Sequence, residues 1–183
     1  KGKRDFPVFM FVHGGSWSSG DKSIYVPIGN LFAKMGIGVV IPSYRLMPAH
    51  KHPAQVEDTA AAWAWVVKNM AVQHGADPQR LYLGGHSAGG HLVSLLALDS
   101  RYLEKHGVTT ATIKGVAALS GVYDMRVLPI FGSSVDERKQ ASPVEFVRKD
   151  APPFVVSYCQ WDYFFLPLQA KEFAAKLKEN FVS

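Results

Sequence analysis

Apolar residues fall into two patterns along the chain. Five short runs, Phe6–Val12, Ile37–Ile41, Arg80–Leu83, Ile113–Leu119 and Phe154–Tyr158, are rich in β-branched, aromatic or Leu residues and end near Gly, Pro or Ser. Several are apolar at almost every position, which is how a strand covered on both faces reads. Between them the apolar positions space out as on helices. Ser23–Met35 carries Ile24, Ile28, Leu31, Phe32 and Met35. Ala54–His74 carries Val56, Ala60, Trp63, Ala64 and Val67, and stops at Gly75 with Asp77-Pro78 beyond. Ala88–Leu98 carries Leu92, Val93, Leu95 and Leu96, and Pro167–Phe181 carries Leu168, Phe173 and Leu177. Trp63 is expected in the core and Trp65, off that helix face, at its margin. Strand and helix alternate, with connections long enough for right-handed crossovers. The pattern predicts an α/β protein with a mostly parallel sheet flanked by helices. Tyr123–Pro153 breaks the alternation. It holds Gly132, Ser133, Ser134 and the charged run Asp136–Lys139, and reads as an irregular insertion with one short helix near Pro143–Arg148. No repeat or linker divides the chain, so residues 1–183 read as a single domain.

Composition narrows the class. The chain has 183 residues, 48% apolar, 12% aromatic and 19% charged, which suits one compact domain and excludes a disordered chain, a collagen or a coiled coil. No apolar run approaches the roughly 18 residues of a membrane span. Cys159 is the single cysteine and has no intrachain partner. The formal charge is +5, but the basic residues are scattered, and Lys171, Lys176 and Lys178 alternate with Glu172 and Glu179. That is a solvated surface rather than a nucleic-acid face. Lys1, Lys3 and Arg4 precede an apolar stretch, yet Asp5 and Pro7 interrupt it and no A-x-A site follows, so no signal peptide is read. The compartment stays open, with the cytoplasm preferred, and so does the oligomeric state.

The chemistry centres on Gly85-His86-Ser87-Ala88-Gly89, which fits G-x-S-x-G. A strand precedes it and a helix follows. A sharp strand-to-helix turn lifts the serine hydroxyl above the sheet edge, and glycines on both sides keep the turn free of clashes. The helix N-terminus adds backbone N–H groups and positive dipole, which favour a developing oxyanion. His13-Gly14-Gly15-Ser16-Trp17 follows the first strand. Its glycines leave backbone N–H groups accessible. Donors from Gly14, Gly15 or Ser16, with the N–H of Ala88, would form an oxyanion hole. Alone, the Gly-rich segment could equally be a plain turn.

Together these motifs resemble the α/β-hydrolase fold, and within it the esterases with an HGG-type oxyanion loop: hormone-sensitive-lipase-like carboxylesterases and arylformamidases. Pro42-Ser43-Tyr44-Arg45-Leu46 and Pro53-Ala54-Gln55-Val56-Glu57-Asp58 also resemble segments of that family. Ser16 stands where many lipase-like members have a third glycine, closer to the HGG-x-W of the formamidase branch. The resemblance implies the chain order nucleophile, acid, histidine. Cys159-Gln160-Trp161-Asp162 takes the place of the family's G-E-x-D, which makes Asp162 the acid; Asp124, after the preceding strand, is the competitor.

All seven histidines lie at or before position 106, so none follows Asp162. The catalytic His is expected outside this chain, on a domain incomplete at one or both ends. The competing explanation is a ligand-binding homologue without a base. His13 is expected to brace the oxyanion loop, His86 to pack beneath the elbow, and His91 to pack or face solvent. His50 and His52 have no Cys or carboxylate cluster at metal spacing, so no metal and no organic cofactor is expected. The reading is a serine hydrolase acting on small or medium carboxylic esters, with an N-formyl aromatic amide as the alternative substrate. Trp17, Tyr44, Met47 and the segment Met125–Ser134 are candidate pocket walls by position.

Overall fold

A computed structural model of the protein describes residues 4–163 and 165–180. Strands β1 (Phe6–Val12), β2 (Gly38–Val40), β3 (Ala76–His86), β4 (Val116–Leu119) and β5 (Phe154–Ser157) form one sheet in the order β2-β1-β3-β4-β5. Every neighbouring pair is parallel, with Phe9 beside Tyr82, Leu83 beside Val116 and Val116 beside Phe154. The helices are α1 (Val26–Lys34), α2 (Ala54–His74), α3 (Ala88–Leu98), α4 (Arg101–Glu104), α5 (Val135–Gln140) and α6 (Phe165–Glu179). Phe181, the expected end of the last helix, lies outside the described residues, as do Lys1 and Lys3. None of the described helices is long and apolar enough to cross a membrane.

The two faces of the sheet differ. On one, Val8, Met10 and Val12 of β1 and Leu83 of β3 are fully buried with Val56, Ala60 and Trp63 of α2 and Leu92, Leu95 and Leu96 of α3. Side chains of this size contribute about 1.5–3 kcal/mol each when removed from water. Ala118 continues this face into a second cluster with Leu98, Tyr123 and Phe173 of α6, where the Tyr123 and Phe173 rings stack at 4.2 Å. Trp63 donates its indole N–H to Thr112, while Trp65 is exposed, as their places on α2 predict. The other face carries α1, which rests on β2 through Gly29 against Val39 and Ile41, and on β1 through Phe32 against Phe9. Beyond it, an apolar groove of about 620 Å³ is lined by Pro7, Phe9, Phe32, Tyr82, Phe154 and Val155.

Two local readings are corrected. The helical pattern over Ser23–Met35 divides into a 3₁₀ turn, Lys22–Tyr25, and α1, Val26–Lys34; Ile24, Leu31 and Met35 are exposed, and only Gly29 of α1 is buried. The helix expected near Pro143–Arg148 is a single 3₁₀ turn, Pro143–Phe146, because Pro143 opens it and no apolar repeat sustains it. The α-helix of the insertion is α5, started by a capping box in which Ser134 and Glu137 satisfy each other's backbone N–H.

Candidate active site

The parallel sheet brings the ends of β1, β3, β4 and β5 to one edge, and the sequence-predicted chemistry collects there. β3 runs into Ser87 at φ 54°, ψ −117°, and α3 starts at the next residue. This conformation costs a non-glycine residue about 1–3 kcal/mol. It is held from both sides. The Ser87 N–H donates to Leu119 O at 2.8 Å, extending the β3–β4 ladder past the turn. Gly89 lets α3 close on β1, where any Cβ would strike the Val12 carbonyl. Among the described residues the Ser87 hydroxyl has no hydrogen-bond partner.

The loop after β1 lies directly over this turn: a Cβ on Gly14 would come within 3.2 Å of Ser87 Cβ and 3.0 Å of His86 Nδ1. Gly15, Ser16 and Trp17 all have positive φ, at 123°, 50° and 59°. Of the four predicted donors, the Gly14 N–H points to Tyr25 Oη at 3.4 Å. Those of Gly15, Ser16 and Ala88 have no acceptor among the described residues.

His13 does brace this loop. It is fully buried, stacks on Tyr44 at 4.2 Å, and bonds Gly14 O through Nδ1 at 2.8 Å; the Tyr44 hydroxyl donates to His13 O at 3.1 Å. His86 does not sit beneath the elbow. It is exposed and paired with Tyr25 Oη at 2.9 Å, because the strained turn throws the side chain before the serine outward. Trp17 and Tyr44, read as pocket walls, are buried under the loop, and Met47 packs partly beneath it with its N–H on Trp17 O. From Met125–Ser134, the stretch Pro129–Ser133 lines a separate cavity of about 720 Å³ with His52, Arg101 and Tyr102.

Asp162 stands at the same strand edge. Its Oδ2 accepts from the Ser120 hydroxyl at 2.6 Å and from the Cys159 N–H at 2.7 Å. Ser120 has φ 49° and donates its own N–H to Ser157 O, so the residue that grips the carboxylate is fixed by the β4–β5 ladder. Asp124 is differently engaged. Its carboxylate forks onto Arg126, which also pairs with Glu145 at 3.3 Å. Partial burial pushes that carboxyl up, but the Arg126 pair outweighs it and holds the group below its ordinary value. Neither carboxylate has a histidine partner among the described residues. Burial lowers His91 to about 3 and His52 to about 4, so both rings are neutral at pH 7. No group of three His, Cys, Asp or Glu among the described residues could hold a metal ion.

Sequence reasoning did not find Ser120 or Tyr25. Ser120 had a usable signal, since it directly follows a buried strand at the edge where the fold gathers its chemistry. Tyr25, which joins the Gly14 N–H to His86, had none.

A parallel sheet, a strained serine between strand and helix, and a glycine loop over it define the α/β-hydrolase fold. The chain belongs to the BD-FAE family, whose model matches residues 1–177. It is 30% identical over 195 residues to the probable carboxylic ester hydrolase LipM of Mycobacterium tuberculosis, covering 94% of this chain and 45% of that protein. The chain spans about half the length of the curated relatives it matches. Among solved structures, a truncated carbohydrate esterase from gut microbiota superposes with TM-score 0.86 at 20% identity, covering 99% of this chain and 76% of the other. Esterase 2 of Thermogutta terrifontis superposes at 0.84 with 23% identity, covering 100% and 70%.

Proposed function

We propose that the protein is a serine hydrolase that cleaves small or medium carboxylic esters through an acyl-enzyme. The observation that carries this reading is Ser87 on its strained turn at the start of α3, roofed by the Gly14–Gly15 loop. Ser87 Oγ attacks the ester carbonyl carbon and gives its proton to a base. The carbonyl oxygen becomes an oxyanion facing the amides of Gly15, Ser16 and Ala88. Collapse of the tetrahedral adduct expels the alcohol, which takes the proton back, and water then repeats the sequence on the acyl-serine.

Asp162 orients the base in this scheme. Its carboxylate is held at the strand edge through Oδ2, and Oδ1 has no partner among the described residues, whereas Asp124 is committed to Arg126. No histidine among the described residues bonds Ser87 or Asp162, which supports a histidine outside residues 1–183 as the base of this scheme. LipM, named as a carboxylic ester hydrolase, supports the ester over the amide.

The test is to treat the full-length protein with a fluorophosphonate and map the adduct. Modification of Ser87, with loss of p-nitrophenyl acetate hydrolysis, is the expected result. Esterase activity with the adduct on another serine refutes the assignment.

A further inference from the structure

His91 stands one turn after Ser87 on α3 and is fully buried. Its ring makes two hydrogen bonds that together permit one protonation state. An indole N–H can only donate, so Nδ1, 3.0 Å from Trp17 Nε1, carries a lone pair. A carbonyl can only accept, so Nε2, 2.7 Å from Ala141 O, carries the proton. Phe131 packs edge-on against both rings, at 4.7 Å from Trp17 and 5.3 Å from His91. The neutrality that burial imposes on His91 agrees with this state.

Trp17 is the last of the three consecutive positive-φ residues in the loop over Ser87. Such a backbone persists only where its surroundings over-determine it. On one side the Trp17 carbonyl accepts the Met47 N–H. On the other the indole is tied to α3 by His91.

We propose that His91 is a positioning residue for the oxyanion hole: through Trp17 it clamps the loop carrying the Gly15 and Ser16 amides to the helix that carries Ser87 and Ala88. The Ala141 carbonyl, just after α5, sets the tautomer and ties the insertion into the same clamp. The proposal rests on the serine-hydrolase reading. It adds that donor spacing is set from behind, by a residue that touches no substrate. A loop free to drift weakens contacts to the oxyanion more than contacts to bound ester, so kcat carries the loss.

The test uses the full-length protein. Trp17→Phe keeps an aromatic six-membered ring but deletes the pyrrole half with its donor; His91→Leu deletes the acceptor. Each is expected to lower kcat about tenfold or more, short of the ~10²–10³ for outright loss of an oxyanion donor, with KM moved less than about twofold. The double variant is expected to be no worse than the more damaged single, as for two partners in one interaction. His91→Asn, whose Oδ1 can stand in for Nδ1, is expected to recover most of the kcat lost in His91→Leu. Independently of activity, nitrogen NMR of the wild type is expected to show His91 protonated at Nε2 and bare at Nδ1. If His91→Leu does not fold, Trp17→Phe and the wild-type spectrum decide. A Ser87 that takes fluorophosphonate, with kcat indifferent to both substitutions, overturns the clamp alone, as does a proton found on Nδ1. A Ser87 that takes no fluorophosphonate overturns the hydrolase reading and the catalytic role of the clamp with it.

Discussion

The elbow and the acid loop lie at the same strand edge but are built differently. Ser87 is surrounded by backbone: Gly14 above it, Gly89 against Val12 behind it, and the Leu119 carbonyl beside it. Asp162 lies in a turn where Cys159, Trp161 and Tyr163 are exposed, and two hydrogen bonds from Ser120 and Cys159 hold its carboxylate. The elbow is thus part of the folding core, while the acid loop is an attachment to it. Strain at the nucleophile can be sustained only where packing opposes its relaxation. A carboxylate that orients a neighbour needs only direction, and two hydrogen bonds supply it.

This contrast can be broken by substitution. Ser87→Ala is expected to lower kcat by about 10⁶, the scale seen when a serine nucleophile is lost, with little change in melting temperature. Asp162→Asn is expected to cost about 10⁴ in kcat, as a wrong-tautomer base does in serine proteases, while Asp124→Asn stays near wild type. A dead Asp124→Asn beside an active Asp162→Asn reverses the assignment. Both are read by p-nitrophenyl acetate turnover in the full-length protein.

Stability separates the two regions further. Gly89→Ala forces a methyl onto the Val12 carbonyl and is expected to cost at least about 1–3 kcal/mol in urea unfolding. Trp161→Ala, at a side chain 88% exposed, is expected to stay within about 0.5 kcal/mol. Equal losses would show that the acid loop belongs to the core.

Acid sharpens the comparison on the elbow side. His91 and His52 are neutral in the folded protein, held down to about 3 and about 4 by burial, but titrate near 6.5 when unfolded. Below that unfolded value the unfolded chain binds protons that the native protein refuses. Stability is therefore complete above about pH 6.5 and falls as pH drops toward the folded values, by up to about 1.4 kcal/mol per pH unit for each ring. Urea midpoints measured from pH 7 to pH 4.5 check this. His52→Leu is expected to flatten the slope, and an unchanged slope would remove His52 from the account.

The sequence carried the elbow more legibly than the acid loop, for the same physical reason. The G-x-S-x-G turn is local, since strand, glycines and helix sit within a few residues of Ser87. β1, α2 and α3 were likewise readable to the residue, because dense apolar runs and the Gly75 stop are local signals. The grip on Asp162 is not local. Ser120 reaches it only because β4 and β5 are neighbours, and nothing near Asp162 in sequence announces that. α1 shows a third limit. Its period gave the helix, but period alone does not say whether Leu31, or Ile24 in the 3₁₀ turn before it, is covered, and both are exposed. The capping box at Ser134 and Glu137 is a helix start signal legible in the sequence, and Pro143 further on opens only a 3₁₀ turn.

A sheet with only parallel neighbours has no hairpin from which to start. Even the partners nearest in sequence, such as Val8 and Gly38, are joined through a whole helix, and Phe9 meets Tyr82 only after β2 and α2 have been laid down between them. Each ladder closes a long loop before any sheet contact repays its entropy, so assembly is expected to be slow for a chain of this size. β1 is made before β3, and its place beside that strand stays empty until most of α2 and β3 exist. During synthesis that vacancy leaves an apolar strand exposed and open to pairing with another chain.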